Sequence, residues 1–246
     1  MDLDGAVNAR DLGGLPTADG GQTARGVVIR ADNLQGLSER DVDRLVHELR
    51  VDTVVDLRTP AEVAHEGPGP LRSVPAVRHV ELNLIPNWDP MDVRAERVIP
   101  DEERAQRDVS PHYLGYLHEA PGAVIGALRA LVDGEGAALV HCAAGKDRTG
   151  VVCALALSLV GVSRDDVVED YLLTVERIEA IRDRLAASPT YAEEMARRSL
   201  AELTPHEKSI RKFLERLDYL GGPEGWARAS GLTDRDVDRL RERLLA

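Results

Sequence analysis

The sequence predicts an α/β fold, in which a central, mostly parallel sheet is flanked by helices and followed by a helical C-terminal section. Three short apolar runs have the composition of buried strands, at 27–30, 51–57 and 137–140. Segments with a helical period of apolar residues lie between them. This alternation is typical of parallel sheets because each crossover connection is usually a helix. From Gly161 onward the pattern is helical to Ala246.

In the first half of the chain, we expect strands and helices in alternation. The predicted strands cover 27–30, 51–57 and 77–85. Ser38 is placed to cap a helix whose apolar residues recur with a 3.6-residue period, and a second, short helix is expected at 61–65. The strand at 77–85 ends in a turn that contains Trp88-Asp89-Pro90. Residues 91–108 are charged and irregular, which predicts either a flap whose arginines meet substrate or a solvated face.

In the second half, helices at 111–119 and 122–131 lead into the strand at 137–140, and the helix at 150–160 follows it. Beyond Ser163, which caps a helix to Ala187, further helices are predicted at 189–203, 204–220 and 233–245. These helices either cover the functional site as a lid or complete the core. We predict one domain over 1–246, with a core at 1–162 and a helical section at 163–246.

Composition excludes several function classes. The net charge of −12 argues against nucleic acid or an anionic membrane as the main partner. The longest apolar stretch, 151–162, is too short to span a bilayer, so integral membrane contact is not expected. The seven histidines form no HExxH or Cys/His ligand cluster, and neither a catalytic metal nor a cofactor is expected. Oligomeric state is not predicted.

The two cysteines have different surroundings. Cys153 lies among apolar helix residues and is interpreted as a buried structural thiol. Cys142 precedes a helix and follows a strand, and no disulfide between the two is expected. Since the N-terminus lacks the features of a signal peptide, a reducing cytoplasm is predicted.

The segment His141 to Gly150, HCAAGKDRTG, carries the main functional signal. Cys142 and Arg148 have the Cys-x5-Arg spacing of phosphatases that attack phosphorus with a thiolate. A strand, a tight loop and a helix in this order present backbone N–H groups at a helix N-terminus, which binds a tetrahedral dianion. This helix terminus, with Lys146 and Arg148, is expected to lower the pKa of Cys142. Arg148 would hold two phosphate oxygens, and Thr149 would place a hydroxyl near the sulfur. His141 would support the loop from behind.

The loop resembles the phosphate-binding loop of a family of bacterial tyrosine and lipid phosphatases. Two further stretches agree with that family, Asn8 to Gly14 and Asp56-Leu57-Arg58. The resemblance implies a tyrosine-phosphatase-like fold, substrate contacts from Arg10, and helices over the pocket. It also implies that export by an unconventional route is an alternative to the cytoplasm. The loop residues expected to surround the phosphate are Ala143, Ala144, Gly145, Lys146, Thr149 and Gly150.

Two arginines outside the loop are weaker candidates. Arg10 is either a phosphate contact or part of a solvated N-terminal turn. Arg58, at a strand end where ligand groups gather in α/β sheets, is either a substrate-site residue or half of a strand-end salt bridge with Asp56.

Two aspartates are candidates for the general acid. Asp89 stands beside Trp and Pro, as in the acid loop of tyrosine phosphatases, but the order is Trp-Asp-Pro rather than Trp-Pro-Asp. The alternative is an ordinary Asp-Pro turn. Asp147 lies inside the loop, where repulsion by a phosphate dianion would raise its pKa and let it donate a proton. The resembled family also has a catalytic aspartate at this position.

These features predict a cysteine-dependent protein tyrosine phosphatase that forms a cysteinyl-phosphate, with a phosphorylated protein or phosphoinositide as substrate. Lys146 resembles the extra cation of loops that act on phosphoinositides, so inositol phosphates and Ser/Thr phosphate are alternative substrates. Two rival functions are a phosphate-binding module without turnover and a sulfurtransferase. The sulfurtransferase would not need the arginine six residues after the cysteine.

Overall fold

The computed structural model describes residues 1–86 and 108–246, and the sheet at its centre has one antiparallel edge. Its strands are β1 (Arg10–Asp11), β2 (Val28–Ala31), β3 (Val51–Asp56), β4 (Arg78–Glu81) and β5 (Ala137–His141). They lie in the order β1-β2-β5-β3-β4, and only β1 is antiparallel to its neighbour among these described strands. The predicted mostly parallel sheet is therefore confirmed. β5 lies at its centre, between β2 and β3.

Helices cover both faces of the sheet. They are α1 (Glu39–Asp43), α2 (Pro60–Glu66), α3 (Ser110–Glu119), α4 (Pro121–Ala130), α5 (Asp147–Leu159), α6 (Arg164–Leu172), α7 (Ile178–Ala186), α8 (Ala192–Arg197), α9 (Leu200–Leu203), α10 (Glu207–Asp218), α11 (Gly222–Ala229) and α12 (Asp234–Leu244). A π-helical segment, Arg44–Glu48, continues α1, and 3-10 segments lie at Pro70–Ser73 and Leu173–Arg177.

Local sequence explains where several helices begin. Ser38 caps α1 as predicted: its hydroxyl accepts a hydrogen bond from the backbone N–H of Asp41, whose carboxylate accepts one from the Ser38 N–H. Thr59 caps α2 in the same reciprocal way with Glu62, and Pro60 fills the first helical position. Such capping boxes satisfy N–H groups that the first helical turn leaves without acceptors.

The apolar core lies on both faces of the sheet. One cluster on the α5 face includes residues from both the predicted core and the helical section, such as Val152, Phe213 and Leu240. A second cluster lies under the α1 side and includes Leu34 and Leu45. None of the described helices is long and apolar enough to cross a membrane.

Three predicted elements differ from the structure, and one of them is the helix expected over 189–203, which is divided into α8 and α9. The strand expected over 77–85 is confined to Arg78–Glu81. The single helix expected over 164–187 is divided by the 3-10 segment Leu173–Arg177, in which Val175 is exposed instead of buried. The register of apolar residues continues through the break, so the period alone gives no sign of it.

Candidate active site

The loop of residues 142–146 connects β5 to α5, at the carboxyl end of the central strand. Gly145 has φ +63°, and a Cβ there would lie 2.5 Å from the carbonyl oxygen of Ala31, so any other residue would strain the turn. The backbone N–H groups of residues 143–149 have no acceptor among the described residues. Free N–H groups at a helix N-terminus form an anion-binding site. This is the cradle that the sequence predicts for a phosphate.

Cys142 and Arg148 both lie at this cradle and are buried. Cys142 is only 2% exposed. Arg148, in the first turn of α5, donates from Nη1 and Nη2 to the two carboxylate oxygens of Glu62, at 2.7 Å each. Burial works against the charged form of Arg148, but the hydrogen bonds and charge of Glu62 raise its pKa above the ordinary value. The guanidinium therefore stays charged beside Cys142.

Asp147 is held by a pair of tyrosines. The Tyr113 hydroxyl donates to Asp147 Oδ1 at 2.6 Å and lies 2.6 Å from the Tyr171 hydroxyl, while Lys146 Nζ lies 3.5 Å from Asp147 Oδ2. Burial raises the pKa of Asp147, but Lys146 and Tyr113 outweigh it and the pKa is lowered. The rise in pKa expected from repulsion by a phosphate dianion stays a prediction, and it starts from a value that these two neighbours lower.

The other loop residues contact the surrounding helices or pack beneath the loop. Lys146 Nζ donates to the carbonyl oxygen of Leu203 at 2.8 Å, which ties the loop to α9. The Thr149 hydroxyl is fully buried without a hydrogen-bond partner among the described residues, and its expected place near the Cys142 sulfur stays a prediction. Gly150 is a packing residue, since a Cβ there would lie 3.1 Å from the Tyr171 ring.

A buried network supports the loop from below, and Arg10 belongs to it. Arg10 donates from Nε to Asp170 Oδ1 at 2.8 Å and from Nη1 to Asn8 Oδ1 at 2.8 Å. Arg30 donates to Asp170 Oδ2 at 2.5 Å and to the Gly145 carbonyl oxygen at 2.8 Å. Asn8 Nδ2 donates to that same carbonyl oxygen at 3.2 Å. The donors of Arg10 thus hold Asp170 and Asn8 in this structure, and its contact with phosphate stays a prediction.

Arg58 is likewise engaged by protein groups. Its Nε and Nη2 donate to Asp56, with the Nη2–Oδ2 distance at 2.6 Å, and Nη1 donates to the Gly67 carbonyl oxygen at 3.2 Å. Of the two interpretations of this residue, the structure favours the strand-end salt bridge. The buried guanidinium links the end of β3 to Gly67, the residue that follows the end of α2.

His141 supports the loop as expected. Its Nδ1 lies 3.3 Å from the Cys142 carbonyl oxygen, and its Nε2 lies 3.6 Å from Asp56 Oδ2. Burial lowers the pKa of His141 to about 4, although Asp56 opposes this. Conversely, burial would raise the pKa of Asp56, but His141 and Arg58 lower it to about 2. His141 is therefore neutral at physiological pH.

This burial of a neutral histidine predicts a loss of stability in mild acid. The unfolded chain binds a proton at His141 below pH 6.5, whereas the folded protein binds it only near pH 4. Because the unfolded state then holds more protons, the free energy of unfolding decreases as the pH is lowered. The decrease is about 2 kcal/mol from pH 7 to pH 5. Urea unfolding at both pH values measures this change.

His141→Gln should make the loss between the two pH values smaller. His47→Gln is the matched control, because the His47 side chain is 74% exposed, and it should leave the pH dependence unchanged. Equal pH dependence in the wild type and His141→Gln would contradict the assignment.

Helices α7 to α9 lie over the loop. Their apolar side chains form a cluster with loop residues Ala143 and Ala144, and we name it the cover cluster; its other members are Val7, Ile178, Ile181, Leu185, Tyr191, Met195, Leu200 and Leu203. Arg184 in α7 donates to Asp32 at 2.8 Å and to the Asn33 carbonyl oxygen at 3.0 Å. The helical section therefore contacts the loop itself, whereas Cys142 is packed in the core cluster on the α5 face.

Some predicted site features lie outside the described residues. These are Asp89 and the arginines at 94, 97, 104 and 107. Conversely, sequence reasoning missed Glu62 and Tyr191 entirely. Thr59 with Glu62 is recognisable as a capping box, but nothing in that pattern indicates that the same carboxylate also holds Arg148. Within the described part of the chain, no group of three His, Cys, Asp or Glu side chains is arranged to hold a metal ion.

Comparison with known proteins identifies relatives along the full chain. A family model described as "Tyrosine phosphatase family" matches residues 1–246. The triple specificity protein phosphatase PtpB of Mycobacterium tuberculosis is 29% identical, over 99% of this chain and 98% of its own length. A Cupriavidus necator protein whose name places it among the tyrosine-protein phosphatases is 34% identical, over 71% of this chain and 63% of its own. A tyrosine-protein phosphatase of Nostoc commune is 25% identical, over 88% of this chain and 73% of its own.

Proposed function

Because this chain belongs to the tyrosine phosphatase family, we propose that it hydrolyses phosphotyrosine through a cysteinyl-phosphate formed on Cys142. One observation carries the proposal: the buried Cys142 lies at the start of a loop whose N–H groups at 143–149 have no acceptor among the described residues, beside a guanidinium that Glu62 holds in place. These are the groups needed to bind and stabilise a transferring phosphoryl group.

In the first step, the Cys142 thiolate attacks phosphorus and the bond from phosphorus to the tyrosyl oxygen breaks. The leaving oxygen takes a proton from a carboxylic acid. In the second step, water attacks the phosphorus, the phosphorus–sulfur bond breaks and the thiolate leaves, while the water's proton passes to the same carboxylate. Inorganic phosphate is the product, and the enzyme returns to its starting state.

We place Asp147 in the acid and base role among the described residues. Its side chain is 33% exposed, next to the loop, and a bound phosphate dianion favours its protonated form by charge repulsion. Once the phosphoryl group is on sulfur, the ionised carboxylate is suited to accept a proton from water. Tyr113 fixes the orientation of Asp147 for both steps through their 2.6 Å hydrogen bond. Asp89 remains the alternative acid.

Lys146 supports a broader substrate range. Among the described residues, its ammonium group donates to the carbonyl oxygen of Leu203 and lies 3.5 Å from Asp147 Oδ2, and an ammonium group has three donors. A second phosphate on an inositol ring would find a cation there. The relative named a triple specificity protein phosphatase also supports activity on more than one class of phosphorylated substrate. Phosphoinositides or inositol phosphates are therefore the second candidate substrate class, and phosphoserine or phosphothreonine in proteins is another.

The experiment that tests this proposal compares turnover of a phosphotyrosine peptide and a soluble inositol phosphate. We expect the wild type to hydrolyse the peptide without added metal. Lys146→Ala should reduce kcat/KM for the inositol phosphate by about tenfold more than for the peptide, because a charge-assisted hydrogen bond to the second phosphate is lost. Arg198→Ala, in a partly exposed pair with Glu194, is the charge-matched control.

Failure of the wild type to hydrolyse either substrate would leave the phosphate-binding module as the better description. A thiosulfate assay distinguishes the sulfurtransferase, for which sulfur transfer to an acceptor thiol or cyanide would be observed. If Lys146→Ala reduced kcat/KM equally for the two substrates, Lys146 would not be a contact for a second phosphate of the substrate.

A further inference from the structure

Tyr191 links the helical section to the catalytic arginine. It immediately precedes α8, and its ring is packed in the cover cluster. Its hydroxyl reaches across to α2 and donates to Glu62 Oε1. Glu62 is almost completely buried, so this hydroxyl is a direct contact between two parts of the chain 129 residues apart.

The hydroxyl completes the hydrogen bonds of the Glu62 carboxylate. Oε2 accepts from the Thr59 N–H at 2.6 Å and from Arg148 Nη1 at 2.7 Å. Oε1 accepts from Arg148 Nη2 at 2.7 Å and from Tyr191. A carboxylate has about four lone-pair sites, and all four are used. A carboxylate saturated in this way has one orientation, whereas loss of a donor leaves a buried oxygen free to rotate or take up water.

The orientation of Glu62 determines which edge of Arg148 is available. Glu62 occupies the edge formed by Nη1 and Nη2, and the Leu57 carbonyl oxygen accepts from Nη1 at 3.3 Å. The opposite edge, formed by Nε and the second hydrogen of Nη2, has no partner among the described residues. Two parallel N–H groups on one edge are the geometry that binds two oxygens of a phosphate.

We propose that Tyr191 is a positioning residue for the phosphatase reaction: through Glu62 it fixes the guanidinium of Arg148 so that its free edge faces the phosphate. The inference rests on the proposed role of the loop as a phosphate site. Because Tyr191 belongs to the segment that covers the loop, the arginine is fully oriented only when this segment is in place. Packing of this segment against the loop and orientation of Arg148 therefore occur together.

A double-mutant cycle between Tyr191 and Glu62 tests the proposal. Tyr191→Phe keeps the ring in the cover cluster and removes only the hydroxyl. We expect it to weaken binding of inorganic phosphate and to reduce kcat/KM for an aryl phosphate, each by about tenfold. Glu62→Gln should have a larger effect, about a hundredfold. In the Glu62→Gln background, Tyr191→Phe should cost less than about twofold, because the amide no longer accepts from both nitrogens of Arg148 and the path from Tyr191 to the guanidinium is already broken.

Ser188→Ala is the matched control for general loosening of the same segment. Its hydroxyl donates to Glu66, a neighbouring carboxylate on α2 that does not touch Arg148, so phosphate affinity should be unchanged. Additive losses of phosphate affinity in the cycle would overturn the proposal. A loss of affinity for Ser188→Ala equal to that for Tyr191→Phe would overturn it as well.

Calorimetric titration with inorganic phosphate needs no turnover and separates this proposal from the proposed hydrolysis. A wild-type protein that bound phosphate without hydrolysing any ester would overturn the proposed activity, and the cycle would still be decided by affinity. A wild-type protein that did not bind phosphate would overturn both.

Discussion

Cys142→Ser should reduce kcat for an aryl phosphate by at least about 10⁴-fold while retaining affinity for inorganic phosphate. A serine hydroxyl remains protonated and is a far weaker nucleophile toward phosphorus than a thiolate. The groups that bind the anion are the N–H groups of residues 143–149 and Arg148, which this substitution leaves in place. Steady-state kinetics and phosphate titration on the same preparation measure the two quantities.

The second cysteine provides the control. Cys153 is fully buried in α5, and burial raises the pKa of its thiol to about 11, so it stays protonated and is inert as a nucleophile. Cys153→Ala should keep kcat within about threefold of the wild type, since the thiol that it removes is packed in the core cluster and is not a nucleophile. Residual turnover in Cys142→Ser close to the wild-type rate would exclude the covalent mechanism, and loss of phosphate affinity would show that the substitution had disturbed the cradle itself.

Asp170→Asn should destabilise the protein by about 3–5 kcal/mol, the cost expected when one partner of a buried charge pair is removed. Asp170 accepts from both Arg10 and Arg30, and Arg30 is fully buried. Burial would raise the pKa of Asp170, but the charges of Arg30 and Arg10 lower it, so the carboxylate is ionised. An amide in its place leaves two guanidinium groups without an anion, one of them entirely away from water. Urea unfolding measures the change.

Asp218→Asn is the control with the same chemistry at the surface. Asp218 pairs with Arg164, and both side chains are more than 40% exposed, so its loss should cost at most about 1 kcal/mol. A similar, small effect of both variants would mean that the buried network is not a stabilising element. Asp170→Asn should also weaken phosphate affinity, because Arg30 then loses the partner that directs it to the Gly145 carbonyl oxygen.

The sequence was sufficient to predict the sheet and the loop because their signals are local. The strand at 137–140, the glycine at 145 and the helix after it can each be recognised within a few residues. The sequence left two roles open for each of Arg10 and Arg58 for the opposite reason. Whether an arginine faces a ligand or an internal carboxylate depends on partners such as Asp170, 160 residues away from Arg10. Glu62 and Tyr191 were missed because no periodicity joins them.

Part of the lowering of the Asp147 pKa has the same origin, beside the effect of its sequence neighbour Lys146. Its position inside the loop was evident from the sequence, but its donor Tyr113 lies in α3. The division of the long predicted helix at Leu173–Arg177 also depends on tertiary packing, since the apolar period continues through it.

The network beneath the loop has a consequence for how the chain folds. Its hydrogen bonds join residues far apart in the sequence: Asn8 to Gly145 across 137 positions, Arg30 to Gly145 across 115 and Arg30 to Asp170 across 140. Contacts of such high sequence separation close large loops at an entropic cost and form late. Phosphate affinity should therefore emerge in the last kinetic phase of refolding, after the helices have formed, and a bound oxyanion should slow unfolding by holding that final contact set together.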